Sequence, residues 1–135
     1  MGRRHTTKNE PKAWQTATGD KSQSFTAIYD SLLLHPSYLS LNARQRQLYI
    51  ICASQRFGKR KPSADYPDFV EFRSDDCFYL NWGAMEQYGL YGKKDNSGFY
   101  KDMQKLVDLG FIDKLASGRN KLKTIYKYSD RWHNS

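Results

Sequence analysis

The chain has 135 residues, with 22 lysines and arginines against 14 aspartates and glutamates, a formal net charge of +8 at pH 7, 15% aromatic residues and two cysteines. That length supports a single domain with its own core, and so few cysteines exclude a disulfide-stapled scaffold. The cationic excess points to a polyanionic partner, and no window approaches the roughly 18 apolar residues of a membrane span.

The charge is unevenly placed. Residues 1–24 carry five basic and two acidic groups, 25–57 three and one, 111–135 six and two, whereas 58–76 and 77–110 are close to balance. Residues 1–24 hold only Trp14 as a large apolar side chain, so they cannot bury enough surface to offset the entropy of ordering, and a flexible basic arm is expected. Arg3, Arg4, Lys8 and Lys12 suit a phosphate backbone or a minor groove; an inert solubilising tail is the other reading. The polar N-terminus lacks the apolar stretch of a signal peptide, so a cytoplasmic location is expected.

The main domain is expected over 25–130. Phe25, Ala27 and Ile28 lead as extended chain into one or two helical turns over 29–34, which Pro36 ends and which pack on the core. After a turn over 37–40, Ser40 or Asn42 caps a helix running to about Phe57, where Gly58 closes it. Leu48, Tyr49, Ile50, Ile51, Cys52 and Ala53 cover most of its circumference, which predicts a central helix. Cys52 and Cys77 lie in apolar runs and read as buried free thiols. Residues 58–76 are irregular, opening with Lys59, Arg60 and Lys61 and ending with Asp65, Asp68, Glu71, Asp75 and Asp76; Phe69, Val70 and Phe72 suggest a short strand. A strand over 77–80 follows, and then Asn81 caps a helix over 82–88 and a Gly-bearing turn covers 89–92.

The next helix starts at about Ser97. At roughly 100° per residue, Phe99, Met103, Leu106 and Val107 share one side, while Ser97, Lys101, Gln104, Lys105 and Asp108 share the other. Gly110 stops it, and strands over 111–115 and 122–128 flank a basic turn over 116–121. Residues 131–135 read as a polar C-terminal end. Helix, glycine turn, helix and basic hairpin in that order predict an α+β winged helix-turn-helix, with three main helices, a small antiparallel sheet and a wing. Such a domain binds double-stranded DNA without catalysis. The expected contacts are Ser97, Tyr100, Lys101 and Gln104 in the major groove, Lys105 as a further DNA contact on that helix face, Lys94 and Asn96 on phosphates at the helix N-terminus, and Arg119, Asn120, Lys121 and Lys123 in the wing.

Other chemistries find little support. The run Gly89-Leu90-Tyr91-Gly92-Lys93-Lys94 has neither the glycine spacing nor the following hydroxyl of a phosphate loop, and a KH clamp needs other flanking topology. The acids of 65–76 lack a histidine or partner carboxylate nearby, His5, His35 and His133 are isolated, and the ten tyrosines have no base or metal set beside them. No catalytic residue, metal or cofactor is therefore expected.

Phe25 to Tyr29, Leu32 to Leu34, the stretch 36–44 and Tyr49 resemble the start of the N-terminal domain of replication initiator A proteins, found on plasmids and mobile elements of Gram-positive bacteria. The 99–112 segment is similar to that domain's recognition helix and first wing strand, and 117–122 ahead of Ile125 and Tyr126 is similar to its wing. The resemblance spans roughly 25–130. It implies a winged helix on duplex origin DNA, often as a homodimer and with replication or conjugation proteins as further partners. Regulation of transcription, assistance to a relaxase, and a protein-docking role for the same fold remain alternatives.

Overall fold

The computed structural model describes residues 10–20, 24–56, 76–116 and 124–134. The expectations placed on Arg3, Arg4 and Lys8, on 57–75, and on the hairpin tip at 117–123 lie outside them.

Two single helical turns, α1 (Asp30–Leu33) and α2 (Pro36–Leu39), precede the central helix. Pro36 does end the first turn, but it also opens the second. It stands in the first turn of α2, where its fixed φ suits a helix and its missing N–H leaves nothing unpaired, and His35 Nδ1 accepts the Ser37 N–H at 3.1 Å. Leu32 and Tyr38 are buried, so the segment packs on the core as expected, although Phe25, Tyr29, Leu34 and Leu39 stay exposed.

Of the two caps expected for helix α3 (Ala43–Ala53), Asn42 is the one used. Its side chain accepts the Gln45 N–H at 2.8 Å, and the Gln45 side chain accepts the Asn42 N–H at 3.0 Å, a reciprocal capping box. The helix stops at Ala53, short of Phe57, as the side chains of Ser54 and Gln55 both donate to the Ile51 carbonyl and hold the chain in a closing turn. Leu48, Ile51 and Cys52 are fully buried, with Tyr49, Ile50 and Ala53 half-buried.

The sheet is small and antiparallel, with β3 (Ile125–Tyr128) between β1 (Cys77–Tyr79) and β2 (Ile112–Ala116). Phe78 lies opposite Tyr126 and Ile112 opposite Tyr128; the register shifts between Lys114 and Ala116, leaving Leu115 as the extra, exposed residue. Phe78 stacks on Tyr128 with centroids 4.8 Å apart, and the Tyr128 hydroxyl donates to the Cys52 carbonyl at 2.6 Å. This joins the sheet to the end of α3. Between β1 and the last long helix, residues Trp82–Tyr88 form a 3₁₀ rather than an α-helix. Asn81 caps it as expected, accepting the Ala84 N–H at 2.9 Å, and Gly89 closes it with φ 64°. Met85 is its only fully buried side chain, too little packing to drive a regular helix of two turns.

Helix α4 (Asn96–Asp108) packs on α3 and on β2, and Phe78, Phe99, Phe111, Leu48, Met85, Met103 and Leu106 fill the space between helices and sheet. Cys52 and Cys77 are buried free thiols. The C-terminal residues, expected only as a polar end, form a 3₁₀ turn (Arg131–Asn134) whose Trp132 stacks on Phe111 with centroids 5.5 Å apart and meets His35 edge-on at 4.8 Å. The result is an α+β fold with a three-stranded antiparallel sheet. Among the described residues no helix is long and apolar enough to cross a membrane.

Candidate nucleic-acid interface

Helix α4 is fixed at both ends by specific side chains. At its start Asp95 Oδ1 accepts the Gly98 N–H at 3.0 Å. A Cβ on Gly98 would lie 2.5 Å from both Asp95 carboxylate oxygens, so only glycine lets the carboxylate come this close. Asp95 thereby occupies the place at the helix N-terminus that a phosphate would take. Lys94 and Asn96 are exposed beside it, so their side chains, and not the free backbone N–H groups, are what this end offers an anion.

At the other end the Gly110 N–H reaches the Val107 carbonyl at 3.1 Å and the Phe111 N–H reaches the Leu106 carbonyl at 2.9 Å, with Gly110 at φ 87°. This is a Schellman closure in which Leu106 and Phe111 bury together. A Cβ on Gly110 would also meet Arg131 Cβ at 2.7 Å. Arg131 seals the junction: Nη2 donates to the carbonyls of Val107 and Ile112, both at 3.1 Å, and to Asp113 Oδ1 at 2.6 Å. Helix and hairpin are thus rigidly joined.

The two faces of α4 fall as the periodicity predicts. Phe99, Met103 and Leu106 are fully buried and Val107 half-buried, while Asn96, Ser97, Tyr100, Lys101, Gln104, Lys105 and Asp108 are exposed. Gln104 Nε2 donates to Asp108 Oδ1 at 2.8 Å, so part of its hydrogen-bonding capacity is already engaged. Arg119, Asn120, Lys121 and Lys123 belong to the stretch outside the described residues, and only the strands before and after that stretch, β2 and β3, are placed.

Cations divide by type. Arg44, Arg56 and Arg131 form ion pairs with acids, and Arg46 donates to the carbonyls of Leu39 and Leu41. No lysine among the described residues forms an ion pair, and Lys93, Lys94, Lys101 and Lys105 cluster on and ahead of α4. Unpaired lysines contribute little to folding and keep their charge available to a partner.

Sequence reading overlooked Asp102. It is 4% exposed, on the side of α4 that faces α3, and its carboxylate accepts from Arg44 Nε at 2.7 Å, Tyr91 Oη at 2.7 Å and Gln45 Nε2 at 3.1 Å. Arg44 also reaches Asp95 at 3.4 Å and lies over the Tyr91 ring at 4.7 Å. Burial, and then its bond to Asp102, push the Tyr91 hydroxyl well above its ordinary pKa, and the separate bond from Arg44 to Asp102 is the largest influence raising that of Arg44. An available signal was the placement of Asp102 beside Leu106, at the edge of the apolar arc, and one helical turn after Gly98. Among the described residues no three His, Cys, Asp or Glu side chains are placed to hold a metal ion.

No protein-family profile, curated protein or solved structure matches this chain. The geometry itself defines a small α+β protein that displays one rigid helix, basic and polar on its open side, ahead of a two-stranded hairpin.

Proposed function

We propose that this chain is a winged-helix protein that binds double-stranded DNA without catalysing a reaction on it. More particularly, it acts in the cytoplasm on a plasmid or mobile element, at an origin or operator, in the manner of the replication initiators it resembles. The reading rests above all on the exposed face of α4, where Ser97, Tyr100, Lys101, Gln104 and Lys105 stand free of the core and the lysines are unpaired. The order of elements around it, with β1 ahead of the 3₁₀ turn and a hairpin after α4, also agrees with a helix-turn-helix followed by a wing.

In this arrangement Ser97, Tyr100, Lys101, Gln104 and Lys105 meet the major groove, Lys94 and Asn96 the flanking phosphates, and Arg119, Asn120, Lys121 and Lys123 the neighbouring backbone. The test begins with selection of bound fragments from mixed genomic and plasmid DNA. On the selected site Lys101→Ala and Gln104→Ala should each cost about 1 to 3 kcal/mol, and much less on random duplex. Equal losses on both would assign these side chains to phosphates.

One observation favours a protein-docking role: Phe25, Tyr29, Leu34 and Leu39 are all at least half exposed within a short segment. If no duplex is retained at low salt, docking becomes the preferred reading.

A further inference from the structure

Arg44 stands on the first turn of α3, outside the helix and hairpin assigned above to DNA, yet both of its charged partners belong to α4 or its cap. Nε donates to Asp102 at 2.7 Å and Nη1 to Asp95 at 3.4 Å, while the ring of Tyr91 lies 4.7 Å from the guanidinium carbon. A guanidinium has five N–H donors in a rigid fork, so this geometry leaves both hydrogens of Nη2 and one of Nη1 uncommitted to these acids. The side chain is 41% exposed.

Its position follows from the helix geometry. At about 100° per residue around α4, Lys105 and then Lys101 come next to Asp102 on the exposed side, whereas Tyr100 lies at the opposite edge beside Val107. Arg44, held over Asp102, therefore borders the lysine edge. Its second partner, Asp95, directly follows Lys93 and Lys94. The acids of this neighbourhood are Asp95, Asp102 and Asp108, outnumbered by Arg44 and the four lysines.

We infer that Arg44 is a further contact to the DNA backbone, presenting its Nη2 hydrogens to a phosphodiester oxygen at the N-terminal end of α4. The inference rests on the reading of α4 as the DNA-facing helix. Its physical basis is preorganisation: a buried carboxylate and an aromatic face hold the fork still before DNA arrives, so less rotamer entropy is lost on binding than for a free lysine. Tyr91 and Gln45 also donate to that carboxylate, so its hydrogen bonding does not rest on Arg44 alone.

The first measurement follows the arginine side-chain signals of the intact protein by nitrogen-15 NMR as a short mixed-sequence duplex is added at low salt. The Arg44 Nε signal should move. The second compares salt titrations of binding for Asp102→Asn and for Arg44→Gln with Asp102→Asn, a pair that differs in the arginine charge but leaves no buried carboxylate unpaired. The double variant should show a slope of log affinity against log salt smaller by about 0.9. If duplex binds while the Arg44 signal stays in place and the two slopes coincide, Arg44 only props α4 and the inference is overturned. If the parent protein retains no duplex, the DNA reading itself fails and takes this inference with it. Should the double variant not melt cooperatively, the NMR signal of the parent protein decides.

Discussion

Asp102 shows how much one side chain can organise. Its carboxylate gathers donors from the first turn of α3 and from the turn ahead of α4, so one charge sets the position of α4 against the rest of the core. Removing it leaves the Tyr91 hydroxyl and the Gln45 amide without their acceptor, and Arg44 without its closest counter-ion. Breaking a buried pair costs several kcal/mol, but Arg44 is partly solvated, so Asp102→Ala should cost about 2 to 3 kcal/mol by urea unfolding. A loss below about 0.5 kcal/mol would mean that water replaces the whole network. Such a role was hidden in the sequence because a hydropathy pattern scores every aspartate as a surface residue. The partners, Arg44 and Gln45, are distant in the chain, and only folding brings them within reach.

At the scale of elements, the buried side of α4 and the tip of the hairpin should respond to substitution in opposite ways. Leu106 is fully buried and forms the apolar half of the Schellman closure with Phe111, so Leu106→Ala should cost about 2 to 5 kcal/mol. A thermal melt unchanged from the parent's would place that face outside the core. The hairpin tip should behave in the opposite way. Replacing Arg119 and Lys121 together by Ala should leave the melting temperature nearly unchanged and flatten the salt dependence of DNA binding by roughly 1 to 2 units of slope. Coincident slopes would detach the hairpin from DNA. Helix α4 was legible because its apolar residues repeat at the helical period ahead of a glycine stop, although the helix begins at Asn96 rather than Ser97. The 82–88 segment was legible as helical, through Asn81, but not as 3₁₀, a choice made by how little of it the core buries.

For the whole molecule, the aromatic content produces a dependence on alkaline pH. Tyr49, Tyr91, Tyr126 and Tyr128 all have hydroxyls pushed up chiefly by burial, Tyr49 from 10.0 to about 12. A neutral phenol is the form that the core favours. The unfolded chain therefore ionises first as pH rises, and the stability these groups contribute is fully present below about pH 10 and lost progressively as pH climbs through about 12. Melting temperatures should stay nearly constant on this account from neutral pH to about 10 and fall steeply above it. A flat profile to about pH 12 would show that these hydroxyls are not held neutral by the fold.

The sequence by itself determined the elements whose signals are local: a cap at Ser40 or Asn42, the apolar and polar sides of α4, the stop at Gly110, and the strands on either side of the hairpin. Backbone hydrogen bonding and side-chain periodicity act over a few residues, so they can be read without knowing the fold. The tertiary structure alone decided that Trp132 docks on Phe111 and that Asp102 is a buried junction. Each of these depends on a partner brought close by packing, or on how deeply packing buries a group, and neither distance nor burial is written in the local pattern.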